Sequence, residues 1–89
     1  MSSFSTGKHA LRALAVSLAK EFGPQGVHVA HAVIDGVIDI EFTQKWIKGQ
    51  PAEASIDSEE IAEVYWGLHT QGRRGWANEV DLRPMLEKW

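Results

Sequence analysis

The chain has 89 residues, of which 9 are Lys or Arg, 12 are Asp or Glu and none is cysteine, and its formal net charge is −3. This length predicts one small domain, and the lack of cysteine excludes disulfides, thiolate metal ligands and a cysteine nucleophile. The negative net charge gives no general attraction to the phosphates of a nucleic acid.

The sequence pattern predicts neither a secretory signal nor a membrane span. The first residues, Met1-Ser2-Ser3-Phe4, lack the basic stretch and apolar run of a signal peptide. The longest apolar segment, residues 27–40, is interrupted by two histidines and two aspartates, so it is too short and too polar to cross a bilayer. We therefore expect a cytoplasmic protein that has no membrane or nucleic-acid partner.

Apolar residues at intervals of three and four predict an amphipathic helix over residues 8–22. Its apolar face consists of Leu11, Leu14, Ala15, Leu18, Ala19 and Phe22. A second face of small residues contains Ala10, Ala13 and Val16. A helix that only covers a sheet needs less apolar surface than these two faces provide. We therefore expect one of the two faces to pack against another helix. Gly23 and Pro24 should end the helix, because glycine tolerates the left-handed conformation just past a helix end.

Residues 27–34 are rich in β-branched side chains and almost continuously apolar, which is typical of a strand covered on both faces in a parallel sheet. His28 and His31 fall on opposite faces of such a strand, because side chains alternate with a period of two. The two imidazoles therefore do not converge on one ion, and we predict no metal site. Asp35 and Gly36 should end the strand.

The second half of the chain predicts a loop, a helix and a strand. Residues 37–54 are irregular, with a short helix expected around residues 41–48. At the next helix start, Asp57 is placed to cap, and Ile56 to pack on Ile61. This helix should bury Ile61, Val64, Tyr65 and Leu68, and it should close at Gly72. Alternation over residues 76–82 predicts the final strand, which Pro84 ends.

The predicted order of helix, strand, long loop, helix and strand indicates an α/β protein. Its last three elements should form one right-handed crossover between two parallel strands. Two parallel strands alone do not make a stable sheet, so the outer edge of the strand at residues 27–34 needs a partner. We therefore expect a dimer or a higher oligomer.

Several segments resemble the C-terminal half of a short-chain dehydrogenase/reductase. They are FSTGKHALRALAVSLAKEFGPQGVHV from Phe4 to Val29, IDGVID from Ile34 to Asp39, and WANEVDLRP from Trp76 to Pro84, the last similar to a bacterial subgroup. The likeness runs through essentially the whole chain. It implies a short parallel sheet from the C-terminal portion of a Rossmann-type doubly wound fold, in one partial domain over residues 1–89. It also implies an NAD- or NADP-dependent oxidoreductase ancestry.

In this family a tyrosine and a lysine four residues later carry the chemistry. The lysine hydrogen-bonds the nicotinamide ribose and lowers the pKa of the tyrosine, which exchanges a proton with the substrate. Lys8 matches that lysine, and the resemblance implies a catalytic and cofactor-binding role for it. Phe4 stands at the tyrosine position and has no ionisable oxygen, so it cannot be a general acid or base.

Two further segments match parts of the family's site. The loop at residues 35–40 resembles one that contacts the nicotinamide, and this implies weak cofactor contacts from Gly36, Val37 and Ile38. Asp35 and Ile40 replace the proline and threonine that are usual in that loop. The family's variable substrate-covering region corresponds to residues 41–54, whose apolar anchors are Phe42, Trp46 and Ile47.

The family's dinucleotide fingerprint does not occur in these 89 residues, since the eight glycines never fall in a Gly-rich phosphate-binding pattern. Two hypotheses follow. The chain is an oxidoreductase of this family by descent, represented by its C-terminal half, inactive alone and binding no NAD or NADP by itself. Alternatively, it is a noncatalytic oligomerisation module that reuses the family's helix-bundle and last-strand surfaces. Either way, the resemblance implies a homo-oligomer, either a dimer or a tetramer.

Overall fold

The structure is a computed structural model that describes residues 2–87, with side chains described from residue 6 onward. Its helices are α1 (Ser2–Phe22), α2 (Gln44–Ile47) and α3 (Ser58–Thr70). Its strands are β1 (His31–Ile34), β2 (Ile38–Asp39), β3 (Ile56–Asp57) and β4 (Glu79–Leu82). The main elements follow the predicted order, and the chain is an α/β protein. No helix among the described residues is both long and apolar enough to cross a membrane.

The described strands form two short parallel pairs. β1 pairs with β4, and the amides of His31 and Asp35 donate to the carbonyl oxygens of Asn78 (3.0 Å) and Leu82 (2.9 Å). The residue numbers of the donors and of their acceptors increase in the same direction along the two strands, which is the pattern of a parallel pair. β2 pairs with β3, so that Ile38 lies opposite Ile56. The predicted parallel pairing of the two longer strands is therefore confirmed.

Contacts between Cα atoms divide the chain into two compact units. The first unit contains α1, the turn after it, His31 and residues 71–80. The second unit contains residues 32–70 together with the segment that begins at Asp81.

In the first unit, α1 begins at Ser2, six residues before the predicted start, and it ends at Phe22 as predicted. A 3-10 turn over Gly23–Gln25 follows, and Gly26, with φ of 88°, is the left-handed residue. The expectation that Gly23 takes this conformation is wrong, because the 3-10 turn continues the right-handed backbone for three more residues. The Gly26 amide then donates to the carbonyl oxygen of Gly23 at 2.9 Å.

The first unit is fixed by a bidentate ion pair and a ring stack. Arg12 on α1 donates from Nε and Nη2 to both carboxylate oxygens of Glu79, at 2.8 to 3.0 Å. The hydrogen bond from Arg12 holds the pKa of the Glu79 carboxyl below its usual range. The ring of His28 stacks on Trp76 with centroids 4.7 Å apart, and its Nε2 donates to the carbonyl oxygen of Ala77 at 2.7 Å.

β1 is shorter than predicted, because its partner β4 spans only four residues. Residues 27–30 belong to no strand, so the predicted strand over residues 27–34 is wrong in its first half. The final strand is likewise shorter than the predicted residues 76–82, since it spans only Glu79–Leu82. In both segments, ring stacking and side-chain hydrogen bonds replace the expected strand ladder.

In the second unit, Ile56 and Thr43 are buried, with exposed fractions of 7% and 8%. The Ile56 amide donates to the carbonyl oxygen of Val37 at 2.8 Å. The Thr43 hydroxyl accepts from the Ile40 amide at 3.1 Å and donates to the Ile38 carbonyl oxygen. These bonds close the turn between β2 and α2, and they hold the predicted short helix in place.

Helix α3 starts directly after Asp57, as the sequence predicts, and it ends at Thr70, two residues before Gly72. Three of the four residues predicted to be buried, Ile61, Val64 and Leu68, are half-buried. Tyr65 is exposed, so its place in the predicted buried stripe is wrong. Its spacing from Ile61, Val64 and Leu68 places it at the edge of the stripe.

Replacing Gly36 by alanine should destabilise the second unit. Gly36 has φ of +147°, and a Cβ there would lie 2.7 Å from Cδ of Pro84. We expect Gly36→Ala to lower the free energy of unfolding by about 1–3 kcal/mol, measured by urea denaturation. Gly67→Ala is the matched control, because Gly67 lies inside α3 with open space around it. This variant should raise the free energy of unfolding by about 0.5–1 kcal/mol, since alanine favours a helix more than glycine does. Equal effects of the two variants would contradict this account.

Candidate functional site

Lys8 lies near the N-terminal end of α1, and its side chain is exposed. Phe4 precedes it by one turn on the same helix, and this spacing places the two residues on one face. The side chain of Phe4 lies outside the described residues. The helix therefore provides the spacing of the family's catalytic pair, with an ammonium group at one position and a ring without an oxygen at the other.

The predicted cofactor loop leads into β2, which begins at Ile38. Gly36 provides the positive φ, Val37 is exposed and Ile38 is half-buried. The carbonyl oxygen of Val37 already accepts a hydrogen bond from Ile56 at 2.8 Å. Part of the loop's backbone is thus engaged within its own unit, which leaves fewer peptide groups for a ligand than the resemblance implies.

The predicted substrate-covering region presents an aromatic cluster at the surface. The rings of Phe42 and Trp46 meet edge to face, with centroids 5.6 Å apart. Lys45 Nζ lies 4.8 Å from the Trp46 ring centroid and 5.8 Å from that of Phe42, which places a cation over both rings. Phe42 is 72% exposed, whereas Ile47 is half-buried and anchors the segment.

The predicted site residues are divided between the two units. Lys8 belongs to the first unit, whereas the cofactor loop and the aromatic cluster belong to the second. Within the second unit the chain brings Phe42, Lys45 and Trp46 together, and it places Gly36, Val37 and Ile38 consecutively at one strand.

His28 and His31 have separate environments. His28 is held by Trp76 and the carbonyl oxygen of Ala77, whereas Nδ1 of His31 is buried and has no hydrogen-bond partner among the described residues. In the same part of the chain, no group of three or more His, Cys, Asp or Glu residues is arranged to hold a metal ion.

A cavity of about 680 Å³ in the second unit was not predicted from the sequence. Its apolar lining includes Ile56, Ile61, Val64, Leu82, Pro84 and Met85. Its charged lining consists of Asp39, Glu53, Asp57, Glu60, Asp81 and Arg83. These residues come from four separate segments of the chain, so no local sequence pattern could have indicated that they meet.

Comparisons with protein-family models, with curated proteins and with solved structures find no match for this chain. The family resemblance therefore rests on the quoted residues of the chain itself.

Substitutions in the aromatic cluster should leave the fold intact. Because Phe42 is largely exposed, we expect Phe42→Ser to change the free energy of unfolding by no more than about 0.5 kcal/mol. Ile56→Ala removes the buried apolar side chain of this unit, and it should lower the free energy of unfolding by about 2–4 kcal/mol. Thermal and urea denaturation of both variants would test this contrast. A loss for Phe42→Ser as large as that for Ile56→Ala would show that the cluster is structural.

Proposed function

We propose that this chain is a noncatalytic assembly module built on the C-terminal portion of a short-chain dehydrogenase/reductase type of Rossmann fold. It associates with further copies of itself through the apolar face of α1, and alone it does not transfer hydride. The observation that carries this proposal is the exposure of large apolar side chains on one face of that helix.

The apolar face of α1 is only partly covered within the chain. Leu11 is 49% exposed and Leu14 is 55% exposed, whereas Ala15, Leu18, Ala19 and Phe22 are half-buried. A contiguous exposed apolar face of this kind marks an interaction surface. A second copy of α1 offers the same leucines and small residues, so two such faces are mutually compatible.

The strand edges favour the same proposal. In the described part of the chain β1 pairs only with β4, so each strand has a second edge that no other described strand occupies. Unpaired edges are templates for another chain. Ile34 on β1 is also exposed, which adds apolar surface beside that edge.

The side chains at the family's catalytic positions argue against independent catalysis. Phe4 has no oxygen that could exchange a proton, so it cannot be the phenol that the family's lysine activates. The cofactor loop alone provides one edge of a nucleotide site, and one edge does not offset the ordering that binding requires. Binding of NAD or NADP, and any oxidoreductase role, would need groups that these 89 residues do not supply.

We expect the chain to form a dimer or larger species at micromolar concentration, and Leu14→Asp to convert it to a monomer. A carboxylate in a desolvated helix interface is unpaired, which opposes association by several kcal/mol. The variant should keep its helical circular dichroism, because Leu14 is exposed within the single chain. Light scattering coupled to size exclusion measures both masses.

Lys20→Gln is the matched control for this experiment. It changes the net charge by the same amount as Leu14→Asp, but Lys20 is exposed and lies on α1 opposite Leu11 and the middle of the apolar face. Its mass should equal that of the unmodified chain. A strictly monomeric unmodified chain, or a Leu14→Asp variant of unchanged mass, would contradict the proposed interface.

Calorimetric titration with NADH and NADPH tests whether the chain binds a nicotinamide cofactor by itself, which independent catalysis would require. We expect no saturable heat from either cofactor when the purified, associated chain is titrated. Saturable binding at micromolar affinity would show that assembly rebuilds a nucleotide site, and it would favour the oxidoreductase hypothesis. The oligomeric mass, measured on the same sample, separates this outcome from a failure to associate.

A further inference from the structure

We propose that the cavity in the second unit binds a small organic cation, an ammonium group attached to an apolar body. The cavity holds about 680 Å³, which is within the range of sites for small molecules. This proposal concerns one unit of the chain, and it depends neither on the association of copies nor on a nicotinamide cofactor.

The walls of the cavity are tied together by backbone hydrogen bonds. β2 and β3 pair through Ile38 and Ile56. The amide of Leu86 donates to the carbonyl oxygen of Glu53 at 3.0 Å, and this bond fastens the segment after β4 to the segment before β3. The space therefore lies between elements that the backbone holds, which favours a preformed site.

One wall of the cavity is apolar and suits the body of a ligand. Ile56 is the buried apolar residue of the lining, and Ile61 and Val64 extend the apolar wall along α3. Burial against these branched side chains provides affinity through the hydrophobic effect but selects no particular charge.

The charges around the cavity select a cation. Arg83 is ion-paired with Asp81, at 3.1 Å, and with Asp35. Asp39 accepts a hydrogen bond from the neutral amide of Gln44 at 2.6 Å, and it forms no ion pair with the described residues. Asp57 and Glu60 form no ion pair with the described residues. The lining thus carries a surplus of negative charge that an ammonium group would partly offset.

The arrangement of the carboxylates argues against other ligands. No three acidic or histidine groups in the described part of the chain converge to hold a metal ion, so their charge is spread along the cavity. An anion at the start of α3 would be repelled by Asp57 and Glu60. A spread negative charge beside an apolar wall matches an amphipathic organic cation better than a metal ion or a phosphate.

A matched series of probes with one apolar body tests the proposal. The probes are phenethylammonium, phenethyl alcohol and phenylacetate, titrated into methyl-labelled protein at pH 7. We expect the ammonium compound to shift the methyl resonances of Ile56, Ile61 and Val64 saturably, with an affinity that falls as salt rises. The alcohol should bind more weakly by on the order of fivefold, and the carboxylate weaker still.

Two charge variants on α3, one inside the cavity lining and one outside it, test whether phenethylammonium binds in the cavity. Glu60→Gln should weaken phenethylammonium binding by on the order of fivefold. Glu63→Gln makes the same charge change on α3 outside the cavity lining, and its binding should match that of the unmodified chain. Both residues are exposed, so the fold should persist in both variants. Equal binding of alcohol and ammonium, equal effects of the two variants, or no saturable shift would each overturn the proposal.

Discussion

The main constraint on this structure is how little apolar surface the chain buries by itself. Among the described residues Ile56 is the one buried apolar side chain, while the leucines at the middle of α1 remain about half exposed. Folding must offset the conformational entropy of 89 residues, and apolar burial is its largest favourable contribution. On the proposed function, association with another copy would add apolar burial, which would couple the stability of this chain to its assembly.

Much of the fold could be predicted because its signals are local. The spacing of Leu11, Leu14 and Leu18 specifies the face of α1, and the residues around Asp57 specify the start of α3. The short strands β2 and β3 could not be predicted, because two residues are too few to show a period of two. Their pairing depends on a tertiary hydrogen bond between Ile56 and Val37.

The candidate sites also divide into those that lie within one segment, which the sequence shows, and one that joins several segments, which it does not. The spacing of Phe4 and Lys8, and the aromatic residues of the loop, are visible in the sequence because each lies within one segment. The cavity was missed because its wall joins β2 and β3 to α3 and to the segment after β4. The charge at that site also depends on pairing, since Arg83 pairs with Asp35, 48 positions away in the sequence, only once the chain is folded.

Hydrogen–deuterium exchange of α1 as a function of protein concentration tests the central claim most directly. If a second copy covers the face that contains Leu14, exchange over Ser2–Phe22 should slow as the concentration rises, and it should slow more than exchange over α3. Exchange of α1 that stays the same at every concentration, in a chain that is otherwise folded, would contradict the account.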